Sequence, residues 1–326
     1  MELLLDFGWV VLGLVLLYFG AEWLVKGSSE IAIKFGISPL VVGLTVVAFG
    51  TSAPELLVCL QANYQSKGDL AIGNIVGSNI CNIAMVLGAS AIIFPLTIHL
   101  QIIKREMVIL MAVSLVFVAM IYNEVLSQVE GIFLSVGIIA YVFFSIVQAR
   151  RAPASDLDET LSPEEVEAVL AAGNKRLLSN IGLILLGILL LFVGSDRLVS
   201  GAEAIATYLR VPEAIIALSL IAFGTSLPEL ATGVMASWRK QGDIVVGNAI
   251  GSCIFNLMAV GGLTAALKPV VTADLNWIDL AVMLGTAGVA WIMMRSHRTV
   301  SRAEGVIMLV AYLGYCFYLS TRSADL

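Results

Sequence analysis

Ten apolar segments, each about 20 residues long or more, restrict the folds open to this chain of 326 residues. Hydrophobic residues make up 59% of the sequence and charged residues 13%, which is too apolar for a soluble domain. A helix needs about 20 apolar residues to cross a bilayer. The sequence therefore predicts an all-α integral membrane protein with ten transmembrane helices, at residues 5–25, 39–64, 69–96, 105–122, 130–149, 177–195, 211–237, 243–267, 277–294 and 303–320.

The remaining composition excludes several classes of protein. The net charge is −6, and no basic patch suggests nucleic acid as a partner. The cysteines lie in apolar segments without the spacing of a metal site or a disulfide framework, which indicates small hydrophobic residues. The amino terminus has no basic region, so we expect the first apolar segment to remain as a span. These cysteines are Cys59, Cys81, Cys253 and Cys316.

The basic residues predict the orientation in the membrane. Of the 18 lysines and arginines, all but five fall in loops on one side, which the positive-inside rule assigns to the cytoplasm. We therefore expect a plasma membrane protein (the inner membrane of a bacterial cell), with both termini outside and residues 150–176 in the cytoplasm. In this linker, Ser162-Pro163 begins a short capped helix and Gly173 is expected to end it.

A duplication divides the chain into residues 1–149 and 177–326. Shifting the sequence by 174 residues aligns residues 41–88 with 215–262 without a gap, and 20 of the 48 pairs are identical. Five predicted spans separate equivalent positions, so the two copies are expected to have opposite orientations. Inverted repeats with broken helices are typical of secondary transporters, whose sites lie at the midplane between the repeats. Channels can also be duplicated, so the repeat alone does not decide the function.

The first motif shared by the two copies is Gly50-Thr51-Ser52-Ala53-Pro54-Glu55, which recurs at residues 224–229 with Leu227 in place of Ala53. Proline cannot donate to the carbonyl four residues earlier, so Pro54 and Pro228 predict interruptions in the second and seventh spans. Glu55 and Glu229 lie too deep in their spans to reach water, and a carboxylate there is costly unless it is paired or protonated. No Lys, Arg or His lies at a similar depth, which indicates a mobile cation or a proton as the partner.

The second motif covers residues 68–82 and recurs at 242–256. In each copy an asparagine, a serine and an asparagine share one helix face at intervals of four residues, beside a stripe of small residues that includes Gly73 and Gly77. These side chains either join neighbouring helices or line a polar site in the third and eighth spans. The six residues are Asn74, Ser78, Asn82, Asn248, Ser252 and Asn256.

Carboxylates, amides, hydroxyls and carbonyls form an all-oxygen set, which suits hard cations such as Ca²⁺. Na⁺ has nearly the same size, and Mg²⁺ is disfavoured because it requires tighter octahedral geometry. Binding of either Ca²⁺ or Na⁺ to one site is what exchange requires. The side chains that offer such oxygens are those of Glu55, Glu229, Thr51, Thr225, Ser52, Ser226, Ser78, Ser252, Asn82 and Asn256.

The paired segments "GTSAPEL"/"GTSLPEL" and "GNIVGSNICN"/"GNAIGSCIFN" resemble the alpha-repeats of the calcium/cation antiporter superfamily, specifically the prokaryotic sodium/calcium exchangers. The resemblance implies two inverted five-helix halves, interrupted helices 2, 3, 7 and 8 around the cation site, and alternating access by sliding of the first helix of each half. It implies Ca²⁺ and Na⁺ as transported ions and no cofactor. It also implies that the carbonyls of Ala48 and Ala222 are cation ligands. Potassium-dependent members carry Asp where this chain has Asn256, so a role for K⁺ stays open.

Other activities remain as alternatives. A proton/calcium exchanger of the same superfamily would use Glu55 or Glu229 to carry protons, and a cation channel would also use carbonyls and carboxylates. An intramembrane hydrolase lacks a base beside its serines, so we expect no enzyme. The expected surroundings are the lipid bilayer, and the protein is expected to work as a monomer.

Overall fold

Helices make up almost all of the structure, a computed structural model that describes residues 2–149, 173–209, 222–272 and 277–324. The helices of the first half are α1 (Glu2–Phe35), α2 (Pro39–Val42), α3 (Ala48–Thr51), α4 (Ala53–Tyr64), α5 (Gly68–Ile80), α6 (Leu87–Ile93), α7 (Met107–Met120) and α8 (Gln128–Ala149). Those of the second half are α9 (Gly173–Tyr208), α10 (Ala222–Gly224), α11 (Leu227–Trp238), α12 (Gly242–Phe255), α13 (Gly261–Leu267), α14 (Trp277–His297) and α15 (Arg302–Ala324). Turns of π-helix lie at Gly43–Val47, Cys81–Val86, Ile102–Glu106 and Asn256–Val260, and a 3₁₀ turn lies at Ile121–Asn123.

The predicted all-α membrane architecture is confirmed. Within the described ranges, eight helices are long and apolar enough to cross a membrane, and the bent segment Pro39–Tyr64 is a ninth candidate. The predicted span 211–237 lies partly in residues 210–221, outside the described residues, so the count of ten stays a prediction. The third and eighth spans run unbroken as Gly68–Ile93 and Gly242–Leu267. These two helices were predicted to be interrupted; each is instead continuous and contains one turn of π-helix.

The first helix of each half is longer than the sequence predicted. The expected ends at residues 25 and 195 were wrong, because α1 continues to Phe35 and α9 to Tyr208. The polar residues that suggested a loop are accommodated inside α1: Ser28 and Ser29 are buried, and Glu30 accepts two hydrogen bonds from Arg176 of α9, at 2.8 and 3.1 Å. Gly173 begins α9 instead of ending a linker helix, and the expected linker helix itself lies outside the described residues.

The two halves match element by element at the offset of 174 residues. Helix α4 corresponds to α11 and α6 to α13, with the same bounds after the shift. Four short strands follow the same rule: β1 (Leu96–Thr97), β2 (Val125–Leu126), β3 (Val270–Val271) and β4 (Thr299–Val300). Each strand pairs with one from the other half, because β1 is antiparallel to β4 and β2 to β3. Strand pairing therefore joins a loop of the first half to a loop of the second half at two places.

Glycines bring α1 and α9 into backbone contact. A Cβ added at Gly20 would lie 2.9 Å from the carbonyl oxygen of Gly187, and one at Gly187 would lie 2.8 Å from that of Gly20. Gly13 and Gly194 form a second reciprocal contact, with added Cβ atoms 2.7 and 3.0 Å from the partner's oxygen. These glycines recur every seven residues, so each helix presents a smooth stripe to the other.

Helix α12 lies at the centre of the protein, with every residue from Ile244 to Phe255 buried. Added Cβ atoms at Gly247 and Gly251 would lie 2.6 Å from the Leu40 oxygen and 2.8 Å from the Leu44 Cα. The expected close approach along a small-residue stripe therefore occurs in the second half. For the stripe at Gly73 and Gly77, the positions equivalent to Leu40 and Leu44 fall in residues 210–221, outside the described part of the chain.

The glycine contact predicts a difference between two alanine substitutions. Gly20→Ala should lower the thermal unfolding temperature in detergent, because its methyl group would meet the backbone of α9; overpacking of this kind costs about 1–3 kcal/mol. Gly182→Ala is the control, since no described atom lies within 4 Å of an added Cβ there. Tryptophan fluorescence during heating measures both. Equal unfolding temperatures for the two variants would contradict tight packing of α1 on α9.

Candidate functional site

Two helix breaks with the same backbone geometry form the centre of the site. Ser52 separates α3 from α4 with φ −84° and ψ 4°, and Ser226 precedes α11 with φ −91° and ψ 5°. At the first break the helix axis bends by 42°. Proline occupies the first turn of each following helix, where its missing N–H is not needed. The sequence thus ends one helix and starts another, which places Glu55 and Glu229 in the first turn of α4 and α11.

Both glutamates are fully buried. One oxygen of each accepts a hydrogen bond from a serine hydroxyl: Glu55 from Ser78 at 3.5 Å, and Glu229 from Ser52 at 3.3 Å. The second carboxylate oxygen of each has no hydrogen-bond partner in the described ranges. No described Lys, Arg or His forms an ion pair with either residue. A buried carboxylate without a cationic partner is costly unless it is protonated, so these two groups are candidates to bind a cation or a proton.

Threonine–asparagine hydrogen bonds connect the two motifs across the halves. The Thr51 hydroxyl donates to Oδ1 of Asn248 at 3.2 Å, and the Thr225 hydroxyl donates to Oδ1 of Asn74 at the same distance. Thr51 also lies 3.4 Å from the Ser252 hydroxyl. Each asparagine therefore joins helices, as one of the two interpretations of the sequence expected, and at the same time fixes a hydroxyl at the edge of the break.

Asn82 and Asn256 lie farther along the same helices, in the turns of π-helix. Both side chains are fully buried, and neither amide oxygen nor amide nitrogen makes a hydrogen bond within the described residues. Because π-helical turns often occur at functional sites, their position here is informative. The spacing of four residues predicted both asparagines. The π turns were not predicted, because they have no sequence signature.

Two backbone carbonyls beside the breaks accept hydrogen bonds, and one of them is the Ala48 carbonyl that was expected as a cation ligand. The Ala48 oxygen accepts the Ser52 N–H at 3.0 Å and the Thr51 hydroxyl at 3.4 Å. The Gly224 oxygen, which Pro228 leaves without its helical donor, accepts a hydrogen bond from the Ser195 hydroxyl of α9. Ala222 begins the short helix before the second break. Ser195 was not predicted as a site residue. Its equivalent in the first half is Ala21, so the comparison of the two copies gave no polar pair at this position.

The structure brings most of the predicted set together. Hydroxyls from both halves meet between the carboxylates, where Ser226 lies 3.4 Å from Ser78. Asn82 and Asn256 share the helices of Ser78 and Ser252 but make no hydrogen bond to the set. Two cysteines also make hydrogen bonds: Cys59 accepts one from Asn74 at 3.3 Å, and Cys253 donates one to the Asn79 carbonyl at 3.6 Å.

Outside this cluster, the cysteines and two ion pairs are the other polar groups of note. The four cysteines form no disulfide. His99 lies 3.1 Å from Asp243 at the start of α12, remote in sequence from the breaks. Glu22 forms an ion pair at 2.6 Å with Arg239, just after α11.

The chemistry of the cluster is that of a site for a hard cation. Its polar atoms come from two carboxylates, hydroxyls and amides, and the described ranges contain no group of three or more His, Cys, Asp and Glu placed to hold a metal ion. Such a set lacks the nitrogen and sulfur ligands of zinc or copper sites. It fits a cation that binds and leaves, since Ca²⁺ and Na⁺ both accept neutral oxygens in flexible geometry.

Comparison with known proteins gives the family. The sequence pattern that defines sodium/calcium exchanger proteins matches residues 5–147 and again residues 179–321. The chain belongs to the sodium/calcium exchanger protein family. The two matched ranges differ by the same 174 residues at both ends, as the internal duplication does, and each contains one helix break with its glutamate.

Individual proteins match over nearly the whole chain. The protein is 35% identical over 318 residues to the inner membrane protein YrbG of Escherichia coli (strain K12), covering 95% of this chain and 96% of that protein. It is 30% identical over 339 residues to the sodium/calcium exchanger MaX1 of Methanosarcina acetivorans, covering 95% and 97%. A solved structure of the sodium-calcium exchanger NCX_Mj, soaked with Na⁺ and Sr²⁺, matches with a TM-score of 0.81 and 30% identity, over 95% of this chain and 97% of that one. Family and fold are those of membrane exchangers and support antiport of Ca²⁺ and another cation.

The unpaired amides predict a substitution that separates binding from stability. Asn256→Leu should leave the unfolding temperature without ions unchanged or raised, because it removes a buried amide with unmet hydrogen bonds. It should abolish the increase in unfolding temperature that Ca²⁺ gives by binding the folded state.

Asn63→Leu is the matched control, because the Asn63 amide donates to the carbonyls of Thr264 and Lys268 at 3.2 and 2.7 Å. This variant should unfold at a lower temperature and keep the response to Ca²⁺. If Asn256→Leu destabilises the protein as much as Asn63→Leu does and still responds to Ca²⁺, Asn256 is structural.

Proposed function

We propose that this protein exchanges Na⁺ for Ca²⁺ across the membrane by alternating access to one site between the two helix breaks. The observation that carries the proposal is the pair of buried carboxylates, Glu55 and Glu229. In each, one oxygen accepts a hydrogen bond from a serine hydroxyl of the motifs, and the other has no hydrogen-bond partner in the described part of the chain. Two carboxylates balance the charge of one Ca²⁺. They serve equally as shared ligands for Na⁺ ions.

The neutral oxygens around the glutamates complete the proposed site. Ca²⁺ takes 6–8 oxygen ligands, more than two carboxylates supply. Ser78, Asn82, Ser252 and Asn256 are proposed to surround the central ion. The remaining ligands are assigned to flanking Na⁺ positions and comprise Thr51, Ser52, Thr225, Ser226 and the carbonyls of Ala48 and Ala222.

The charge of the site favours exchange over a channel. Without cations, two ionised carboxylates would carry a net charge of −2 through a medium of low dielectric constant, which is strongly unfavourable. A conformational change that turns the site from one face to the other therefore takes place when cations neutralise it. Return of the carrier requires a second set of cations, and transport of Ca²⁺ becomes coupled to that of Na⁺.

The packing of α1 on α9 supports one moving unit. Their backbones touch at reciprocal glycines, and the Arg176–Glu30 ion pair joins the same two helices. We assign the sliding motion to this pair, which would move against the other eight of ten spans arranged as two inverted halves. Both termini are placed outside a plasma membrane, and a monomer contains the complete site. The description of the relative YrbG as an inner membrane protein supports that location.

Protons are the second candidate counter-ion. A proton on Glu55 or Glu229 would meet the same need for neutralisation at a fully buried carboxylate. A proton/calcium exchanger would then use the same breaks and the same two residues. The ion gradient that drives Ca²⁺ movement distinguishes this activity from exchange with Na⁺.

Ion flux tests the function directly. Purified protein in liposomes loaded with Na⁺ should take up ⁴⁵Ca²⁺ when the outside contains no Na⁺, whereas K⁺-loaded liposomes should not. Uptake driven by a pH gradient and indifferent to Na⁺ would replace Na⁺ with H⁺ as the counter-ion. Passage of Ca²⁺ down its own gradient without any counter-ion would indicate a channel.

The carboxylates give a second prediction. Glu55→Gln and Glu229→Gln should each reduce exchange by more than about 100-fold, because each removes one of the two negative charges that balance Ca²⁺, and at about 1.4 kcal/mol per tenfold such a loss requires only about 3 kcal/mol. Glu203→Gln, on the exposed surface of α9, is the control and should exchange at the normal rate. Normal exchange in either site variant would remove that residue from the site.

A further inference from the structure

Helix α9 holds the second break by a hydrogen bond. The Ser195 hydroxyl donates to the Gly224 carbonyl, at 2.5 Å, and Ser195 is buried. One turn farther along α9, Val199 covers the same glycine, since an added Cβ at Gly224 would lie 2.5 Å from its Cγ2 atom. The acceptor is the carbonyl that Pro228 deprives of its helical donor, so this hydrogen bond satisfies a backbone group that the break itself exposes.

The first break has only an apolar contact with the same helix. An added Cβ at Gly50 would lie 2.5 Å from the Cδ1 atom of Ile188, which also belongs to α9. The residue equivalent to Ser195 in the first half is Ala21, whose buried methyl group donates no hydrogen bond. Helix α9 therefore contacts both breaks, but its side chains offer a hydrogen bond to the second and a methyl surface to the first.

We propose that Ser195 is a positioning residue that couples the position of α9 to the second half of the cation site. Its hydroxyl fixes the direction of the Gly224 carbonyl, next to Thr225 and Ser226, and engages one of the two lone pairs of that oxygen. If α9 slides, as the proposed function on which this inference rests requires, the hydrogen bond breaks and the carbonyl loses its donor. The bond consequently stabilises the described conformation relative to the one after sliding.

This coupling makes the two faces of the exchanger unequal. In an alternating-access carrier, the apparent affinity at one face is the intrinsic affinity multiplied by the fraction of protein that is open to that face. Loss of one hydrogen bond changes the ratio of the two conformations by about three- to tenfold. The apparent affinities for Ca²⁺ at the two faces should then move in opposite directions, which a loss of general stability does not produce.

Ser195→Ala tests the proposal in liposomes with uniformly oriented protein, where the half-saturating Ca²⁺ concentration is measured at each face. We expect the ratio of the two concentrations to change by about three- to tenfold. Ser200→Ala removes a hydroxyl from an exposed position of the same helix and should leave the ratio unchanged. Ser195→Cys, which keeps a weaker donor, should give an intermediate ratio. It also provides the test if Ser195→Ala does not fold.

Hydrogen exchange detected by mass spectrometry separates this inference from the function itself. Amides of residues 222–230 should exchange faster in Ser195→Ala than in Ser200→Ala, whether or not the protein transports Na⁺. Unchanged amide exchange together with an unchanged affinity ratio would overturn the role of Ser195. Faster amide exchange in a protein that shows no Na⁺-driven Ca²⁺ uptake would retain the anchoring of the break and reject the proposed function.

Discussion

Burial of two carboxylates without a cationic side chain is the constraint on which the rest of the structure depends. Hydrocarbon and protein interiors do not solvate an ion, so Glu55 and Glu229 are tolerated only where other groups surround them with oxygens and a cation can enter. The helix breaks meet the first requirement, because they turn hydroxyls and backbone toward the carboxylates. The all-oxygen composition meets the second. Packing of the surrounding helices then keeps lipid away from these polar groups.

The duplication supplies this environment twice and makes each half part of the other's site. Ser52 of the first half donates to Glu229 of the second, and Thr225 of the second donates to Asn74 of the first. A site formed in this way lies on the boundary between the halves, where relative movement changes its surroundings most. Positions near the breaks where only one copy has a polar side chain, such as Ser195 and Ala21, are where the two faces can acquire different properties.

The sequence predicted those residues of the site that are polar within an otherwise apolar segment. Glu55 and Glu229, with their serines and threonines, stand out because polar residues in an apolar segment need a reason, and the second copy showed that the pattern was not accidental. The ends of α1 and α9 were missed because Ser28, Ser29 and Glu30 look like a loop until the partner helix that accommodates them is known. The π turns at Asn82 and Asn256 depend on tertiary packing, and Ser195 resembles any small residue of a long helix.

The short strands have a consequence for how the chain assembles. Leu96 pairs with Val300, and Val125 pairs with Val271, so no strand of the first half has its partner until most of the second half has been synthesised. The amino-terminal half is therefore synthesised before its strands can pair and before the second-half residues of the proposed cation site are present. Since contacts between residues so distant in sequence form late and slowly, we expect both strand pairs to form among the last steps of assembly.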